Sequence, residues 1–148
     1  MPGTDNGVHT FTAGVTLKTA GIQTVTVSDT SNGLVLGASG TVTVTPATAT
    51  HFVISAPASA KKGAPYSFTV TALDAYGNVA TGYRGTVTFS SSDSKAKFSP
   101  TTYTFTAADA GLHTFTNGAT FNTVGTWSLT VSDKKNGLSG TDLSISVS

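Results

Sequence analysis

Two side chains that could take part in catalysis are Asp109 and His113, which are four residues apart. A carboxylate that orients a histidine beside a serine is the arrangement used in acyl transfer. No serine of this chain, however, lies in a nucleophile-elbow sequence such as G-x-S-x-G. His113 also has an equivalent, His9, in a second copy of the surrounding sequence, which favours a structural role at a strand edge, and His51 has no metal-ligand partner at a usual spacing. We therefore predict no catalytic residue, no cofactor-binding residue and no enzyme.

Three oxygen-bearing side chains, Asp74, Asn78 and Asp133, are the candidate metal ligands. Ca²⁺ takes carboxylate and amide oxygens and needs about 6–8 of them. All three residues lie in predicted turns, where Asp and Asn side chains also bond to their own backbone as Asx turns. The residues therefore allow a Ca²⁺ site or plain turn chemistry, and they indicate no other cofactor.

Aromatic residues in turns suggest a different kind of site, because the faces of sugars stack on aromatic rings. Tyr76, Tyr83 and Tyr103 lie in or near predicted turns, and loops often carry function. Trp127 alternates with Leu129 and Val131, which places it in the predicted core instead. The tyrosines thus leave two alternatives, a carbohydrate-binding surface or ordinary packing.

These candidates lie on a chain that repeats itself. The stretch 111–133 follows the stretch 7–29 at a distance of 104 residues, and the two are identical at 13 of 23 aligned positions. Repeats of domain size indicate arrays of similar modules. A chain of 148 residues therefore holds one complete module and the last part of another. The polar run around Pro46 predicts the boundary, with an incomplete module over 1–48 and a complete one over 49–148.

The composition favours strands and argues against several functions. Thr, Ser, Asn and Gly are abundant and every acidic residue is Asp, which suits strands and turns better than helices. Charged residues make up 10% of the chain, the net charge is +1 and the basic residues are scattered, so we predict no nucleic-acid binding. With 0 cysteines the chain has no disulfide or thiolate site. No stretch approaches the roughly 18 consecutive apolar residues of a membrane span, so we predict no membrane insertion.

Alternating apolar and polar residues predict many short strands. In the complete module they are expected at 51–55, 66–72, 86–90, 95–98, 102–106, 113–115, 119–121, 126–131 and 143–147. Seven or more short strands in about 100 residues predict a two-sheet antiparallel sandwich, with a barrel as the alternative. In 1–48, strands are expected at 8–11, 15–17, 22–27 and 40–44, with a tight turn at Asn32 and Gly33. The expected core residues are Phe52, Phe68, Val70, Val87, Phe89, Phe115, Trp127, Leu129, Val131 and Ile145.

The chain resembles the bacterial Ig-like repeats of very large surface and secreted proteins, of the invasin/intimin-like and filamin-like kinds. The resemblance rests on TALDAYGNVATGYRGTVTF at 71–89, on 103–115 and on the strand at 125–133. It covers essentially all of 49–148, and 1–48 matches the end of a preceding repeat. The implied fold is an all-β, Ig-like antiparallel β-sandwich preceded by the C-terminal part of a second similar module. The disulfide of antibody domains is absent and Trp127 lies on the penultimate strand, so the resemblance is to the bacterial class alone.

The function implied by the resemblance is that of a non-catalytic structural and adhesive stalk module of a bacterial extracellular or cell-surface protein. Its expected partners are neighbouring Ig-like modules or copies of itself, with cell-surface glycans or host proteins as further candidates. In such a sandwich the turn at Asp74 and Asn78 and the last hairpin at Asp133 emerge at one end, so these residues are expected to converge near Pro46. The incomplete module adds a second hypothesis, a self-assembling subunit that pairs through β-strand complementation. A carbohydrate-binding module is the third.

Overall fold

The computed structural model describes residues 5–31 and 36–148, and within these residues the chain is all-β, as predicted. Every strand pair in the described residues is antiparallel except that of β6 with β13. The predicted turn at Asn32 and Gly33 lies outside the described residues. The strands are β1 (Gly21–Gln23), β2 (Thr26–Ser28), β3 (Leu36–Ala38), β4 (Val42–Val44), β5 (His51–Ser55), β6 (Ser59–Ala60), β7 (Pro65–Leu73), β8 (Thr86–Ser91), β9 (Lys97–Phe98), β10 (Thr102–Thr104), β11 (Leu112–Thr120), β12 (Gly125–Asp133) and β13 (Leu138–Val147).

The chain divides into two compact units, Met1–Thr45 and Pro46–Ser148, which we call the N-terminal and C-terminal units. The first residues after the division belong to the C-terminal unit because they bond to it. The backbone N–H of Ala47 donates to Oδ2 of Asp74 at 3.0 Å, and the side chain of Ala49 is buried in the core of that unit.

The C-terminal unit is a sandwich of two sheets. One sheet has the strand order β5-β7-β11-β9 and the other has the order β10-β8-β12-β13-β6. Apolar and polar residues alternate along β7, and successive side chains of a strand point to opposite faces of the sheet. Tyr66, Phe68, Val70 and Ala72 are therefore all buried against the other sheet, while the residues between them are not buried. The antiparallel sandwich predicted from the sequence is therefore confirmed.

The core lies between the two sheets and is rich in aromatic rings. Phe68 of β7 meets Phe89 of β8 with ring centroids 5.4 Å apart, and it stacks on Phe115 of the neighbouring β11 at 5.1 Å. Such pairs stabilise a core beyond the effect of the apolar area they bury. Eight of the ten predicted core residues are buried: Phe52, Phe68, Val70, Val87, Phe115, Leu129, Val131 and Ile145.

The other two predicted core residues, Phe89 and Trp127, are only partly buried and pack against the core. The indole N–H of Trp127 donates to the carbonyl of Thr123 at 2.7 Å, which ties the ring to the loop before β12. Alternation of residue types identifies the face of a strand that points inward. It does not tell how near a residue lies to the end of the sheet, and Trp127 is the third residue of its strand.

The N-terminal unit contains two short antiparallel pairs, β1 with β4 and β2 with β3. The strands predicted at 8–11 and 15–17 are not formed, so those two predictions were wrong. Their equivalents in the repeat belong to β11, which is held as one bulged strand by pairing with β7. The described residues of the N-terminal unit include no counterpart of β7, and a strand needs such a partner for its backbone hydrogen bonds.

Candidate functional site

The structure places Asp74, Asn78 and Asp133 at the end of the sandwich where the chain enters the C-terminal unit. Asp74 follows β7 directly and bonds to Ala47. Asp133 is the last residue of β12, and the hairpin after it lines a cleft together with Thr48 and Ala49. The strand directions bring both turns to this end, because β7 and β12 both finish there.

Asp74 is fully buried and its carboxylate accepts four hydrogen bonds. Oδ1 accepts from the backbone N–H groups of Tyr76 and Asn78 at 2.8 and 2.9 Å. Oδ2 accepts from the side-chain amide of Asn78 and from the backbone N–H of Ala47, both at 3.0 Å. Burial alone would raise the pKa of this carboxyl, but the four donors outweigh burial and lower the pKa to about 2.

Asp133 is also buried and joins two connections that are distant in sequence. Its Oδ2 accepts a 2.6 Å bond from the phenol of Tyr83 and a 2.6 Å bond from the side-chain amide of Asn136. Burial opposes ionisation here too, yet these donors hold the pKa of Asp133 below its ordinary value. Gly85 lies against the pair so closely that a Cβ atom there would be 2.1 Å from Oδ2 of Asp133, which explains why this position is glycine.

The hydrogen bonds favour the turn interpretation of these residues over the metal interpretation. A carboxylate offers about four lone-pair directions, and at Asp74 the four N–H donors use them all. Asp133 accepts hydrogen bonds from Tyr83 and Asn136, neither of which bonds to the carboxylate of Asp74 in this network. In the part of the chain that the structure describes, no cluster of three or more His or Asp side chains is placed to hold a metal ion. The Ca²⁺ site remains a prediction, and Asp74 could serve it only by giving up existing bonds.

A third buried carboxylate, Asp93, was not identified from the sequence. Its oxygens accept hydrogen bonds from the backbone N–H groups of Lys95, Asn122 and Thr123 and from the hydroxyl of Thr123, at 2.8 to 3.1 Å. It thereby ties the loop after β8 to the loop before β12. The only signal in the sequence is an Asp within the Ser-rich stretch 90–94, because local patterns do not reveal partners about 30 residues away.

The structure brings Asp109 and His113 into contact, and aromatic rings surround the pair. Nδ1 of His113 lies 2.6 Å from Oδ1 of Asp109. The ring of Tyr103 stacks on the imidazole with centroids 4.0 Å apart, and its hydroxyl donates to Asp109. Although burial opposes ionisation of Asp109, the donors from Thr106, His113 and Tyr103 hold its pKa well below the ordinary value. His113 also meets the rings of Phe105 and Phe115 edge-on, at centroid distances of 6.4 and 4.7 Å.

The three tyrosines considered for sugar binding do not form a row. Tyr83 is buried, and its ring packs edge-on against Phe52 and Phe105. Tyr103 is partly buried against His113. Only the side chain of Tyr76, at 56% exposure, presents a large part of its ring to solvent.

The C-terminal unit is thus an all-β sandwich in which three buried carboxylates, Asp74, Asp93 and Asp133, accept hydrogen bonds from its loops. Across the described residues, no helix has the length and apolar character needed to cross a membrane. No protein-family model matches the chain, and no curated protein matches it either.

Among solved structures, the chain is similar to the S-layer protein rSbsC(31-844). The sequence identity is 21% and the TM-score is 0.44, and the match covers 88% of this chain. This chain spans only 17% of the length of the S-layer chain that it matches.

Proposed function

We propose that the chain is a non-catalytic structural module of a larger bacterial extracellular or cell-surface protein, where it acts as a spacer in an adhesive stalk. The observation that supports this most is the parallel pairing of β6 with β13 in the C-terminal unit. This pair connects the segment after the first strand of the unit directly to its last strand.

Parallel pairing at this position gives resistance to tension along the chain. The backbone N–H groups of Ser146 and Ser148 donate to the carbonyls of Ala58 and Ala60 at 2.9 and 3.1 Å, and that of Lys62 donates to the carbonyl of Ser148 at 2.8 Å. Tension between Pro46 and Ser148 pulls the two strands in opposite directions along their own axes. All the hydrogen bonds between β6 and β13 therefore bear the load at the same time. Strands that are separated from one end lose their hydrogen bonds one after another instead.

The buried carboxylates support the same function by fixing the loops at both ends of the unit. Asp74 and Asp133 do so where the chain enters, and Asp93 does so at the opposite end of β8. Hydrogen bonds to an ionised, buried group are each worth about 1.5–3 kcal/mol. In a stalk, loops held in this way would keep the ends of a module stiff, and the bond from Ala47 to Asp74 would fix the segment that joins it to a preceding module.

The partners in this proposal are neighbouring modules of the same kind. Glycans and host proteins remain further candidates, of which glycans have the weaker support because Tyr76 is the only one of the three tyrosines considered for sugar binding that exposes much of its ring. Titration of the chain against a glycan panel tests that option, and binding that is lost in Tyr76→Ala would establish it.

Single-molecule pulling tests the spacer function. In one experiment the unit is held at Pro46 and Ser148, and in the other it is held at Gly77 and Ser148. The second geometry no longer draws β6 and β13 past each other. We expect a clearly higher unfolding force in the first geometry. Equal forces, or a lower force in the first geometry, would contradict the proposal.

A second candidate function, assembly through β-strand complementation, has an observation of its own. The N-terminal unit exposes large apolar side chains, among them Phe11, Ile22 and Val27, and exposed apolar surface with few charges favours association. Light scattering on a sizing column over a range of concentrations tests it. Oligomers that grow with concentration would support assembly, and a monomer throughout would exclude it.

A further inference from the structure

The repeated stretch has similar positive φ angles at three matching positions in the two units. In the N-terminal unit Asn6, Gly7 and Ala13 have φ angles of 46°, 82° and 53°. Their equivalents Ala110, Gly111 and Asn117 have φ angles of 46°, 84° and 55°. Positive φ is uncommon for residues other than glycine, so its recurrence shows that the backbone turns in the same way at these positions in both copies.

The side chains of the repeat are also arranged alike. His9 pairs with Asp5 at 3.1 Å, as His113 pairs with Asp109 at 2.6 Å. The ring of His9 meets Phe11 at 4.6 Å and 65°, and that of His113 meets Phe115 at 4.7 Å and 63°.

The strand pairing that follows is repeated as well. Gly21 and Gln23 of β1 lie opposite Val44 and Val42 of β4. Their equivalents in β12, Gly125 and Trp127, lie opposite Val147 and Ile145 of β13. The N-terminal unit therefore shares these features of local structure with the last part of a module, residues 109–147 of the C-terminal unit.

The two copies differ in what covers them. Phe11 and Val27 are 76% and 67% exposed, whereas their equivalents Phe115 and Val131 are 3% and 0% exposed. In the C-terminal unit Phe115 is covered by Phe68, its partner across the β7–β11 ladder, and by Phe89. The cover is thus supplied by 46–110, the part of the module that precedes the repeated stretch.

We infer that the N-terminal unit is a receptor for a polypeptide segment with the strand pattern of 46–110. This inference rests on the modular function proposed above, and it names the partner. The register of β7 with β11 predicts the docked arrangement: a residue equivalent to Phe68 lies opposite Phe11, and one equivalent to Val70 lies opposite His9. An aromatic residue equivalent to Tyr103 then stacks on His9, as Tyr103 stacks on His113.

The test supplies this segment within one chain, which gives it a high effective concentration. A second copy of 46–110 is joined directly before Gly7, in place of residues 1–6, and amide hydrogen exchange is measured by NMR in the extended and original chains. We expect the amides of 8–17 and 21–28 to exchange at least about tenfold more slowly in the extended chain, since docking converts open backbone to a paired strand.

The matched control carries Phe68→Ser and Val70→Ser in the added copy only, which leaves the C-terminal unit unchanged. Protection in the extended chain that is lost in this control supports the inference. Unchanged exchange in the extended chain would overturn it, and so would equal protection in the control. The pulling experiment concerns the C-terminal unit alone, so failure of the spacer function and failure of this docking are distinguishable.

Discussion

The phenol of Tyr83 donates a 2.6 Å hydrogen bond to Oδ2 of Asp133, and both side chains are buried. The two residues are 50 positions apart, so the bond ties the connection between β7 and β8 to the last hairpin. A buried carboxylate that loses a donor bears the cost of its desolvation. We therefore expect Tyr83→Phe to lower the free energy of unfolding by about 1–3 kcal/mol in urea denaturation.

Gly85 permits a sharper test of the same pair. A Cβ at this position would be 2.1 Å from Asp133 and 2.2 Å from the Tyr83 hydroxyl, whereas a Cβ at Gly82 would meet nothing within 4 Å. We expect Gly85→Ala to destabilise the unit clearly and Gly82→Ala to change its stability by less than about 0.5 kcal/mol. In a double-mutant cycle the cost of Gly85→Ala should shrink in the Tyr83→Phe background. If the stability changes of Gly85→Ala and Tyr83→Phe simply added, the Tyr83–Asp133 bond would not be the reason for glycine at position 85.

The carboxylates predict a loss of stability in acid. The pKa of Asp74 is lowered from 3.8 to about 2, and the pKa values of Asp93 and Asp133 are lowered too. Unfolded chains take up these protons first, so this stability is complete above about pH 4 and is lost as the pH falls toward 2 and below. Urea denaturation at a series of pH values measures it. Asp74→Asn should flatten the dependence in this window, and an unchanged slope would rule out Asp74 as a contributor.

Trp127 should contribute less than a fully buried tryptophan. Full burial predicts a loss of about 3–5 kcal/mol on truncation to alanine, and this ring is only partly buried. We expect about 2 kcal/mol for Trp127→Ala by urea denaturation. Trp127→Gln, which copies the equivalent Gln23, should cost somewhat less because its stem still covers part of the core. A loss below about 0.5 kcal/mol in either variant would place the ring outside the packed structure.

Calcium should leave the melting temperature unchanged. A ligand that binds only the folded state raises the melting temperature, but the oxygens of Asp74 are already used by N–H donors. Differential scanning calorimetry in millimolar Ca²⁺ and in chelator provides the comparison. A melting temperature that is higher in Ca²⁺ than in chelator, with the difference lost in Asp74→Asn, would establish the predicted Ca²⁺ site at Asp74, Asn78 and Asp133. It would also overturn our interpretation of these residues as turn residues.

The strands of the C-terminal unit could be predicted from the sequence, but the hydrogen bonds of its buried carboxylates could not. Alternation in 66–72 and 126–131 reports directly which face of a strand is buried, because side chains alternate across a sheet. The bond between Tyr83 and Asp133 and the four bonds to Asp93 depend on which loops meet, and that is decided by the whole topology. The strands expected at 8–11 and 15–17 failed for a related reason, since a strand pattern without a partner strand does not form a ladder.

Pulling the C-terminal unit from Pro46 and Ser148 with one backbone donor removed measures how much of the resistance to tension comes from the β6–β13 pair. The N–H of Ser148 donates to the carbonyl of Ala60, and proline has no N–H. We expect Ser148→Pro to lower the unfolding force while Ser148→Ala leaves it unchanged, with little difference in melting temperature between the variants. The same unfolding force in Ser148→Pro and Ser148→Ala would contradict the claim that the β6–β13 pair carries the tension.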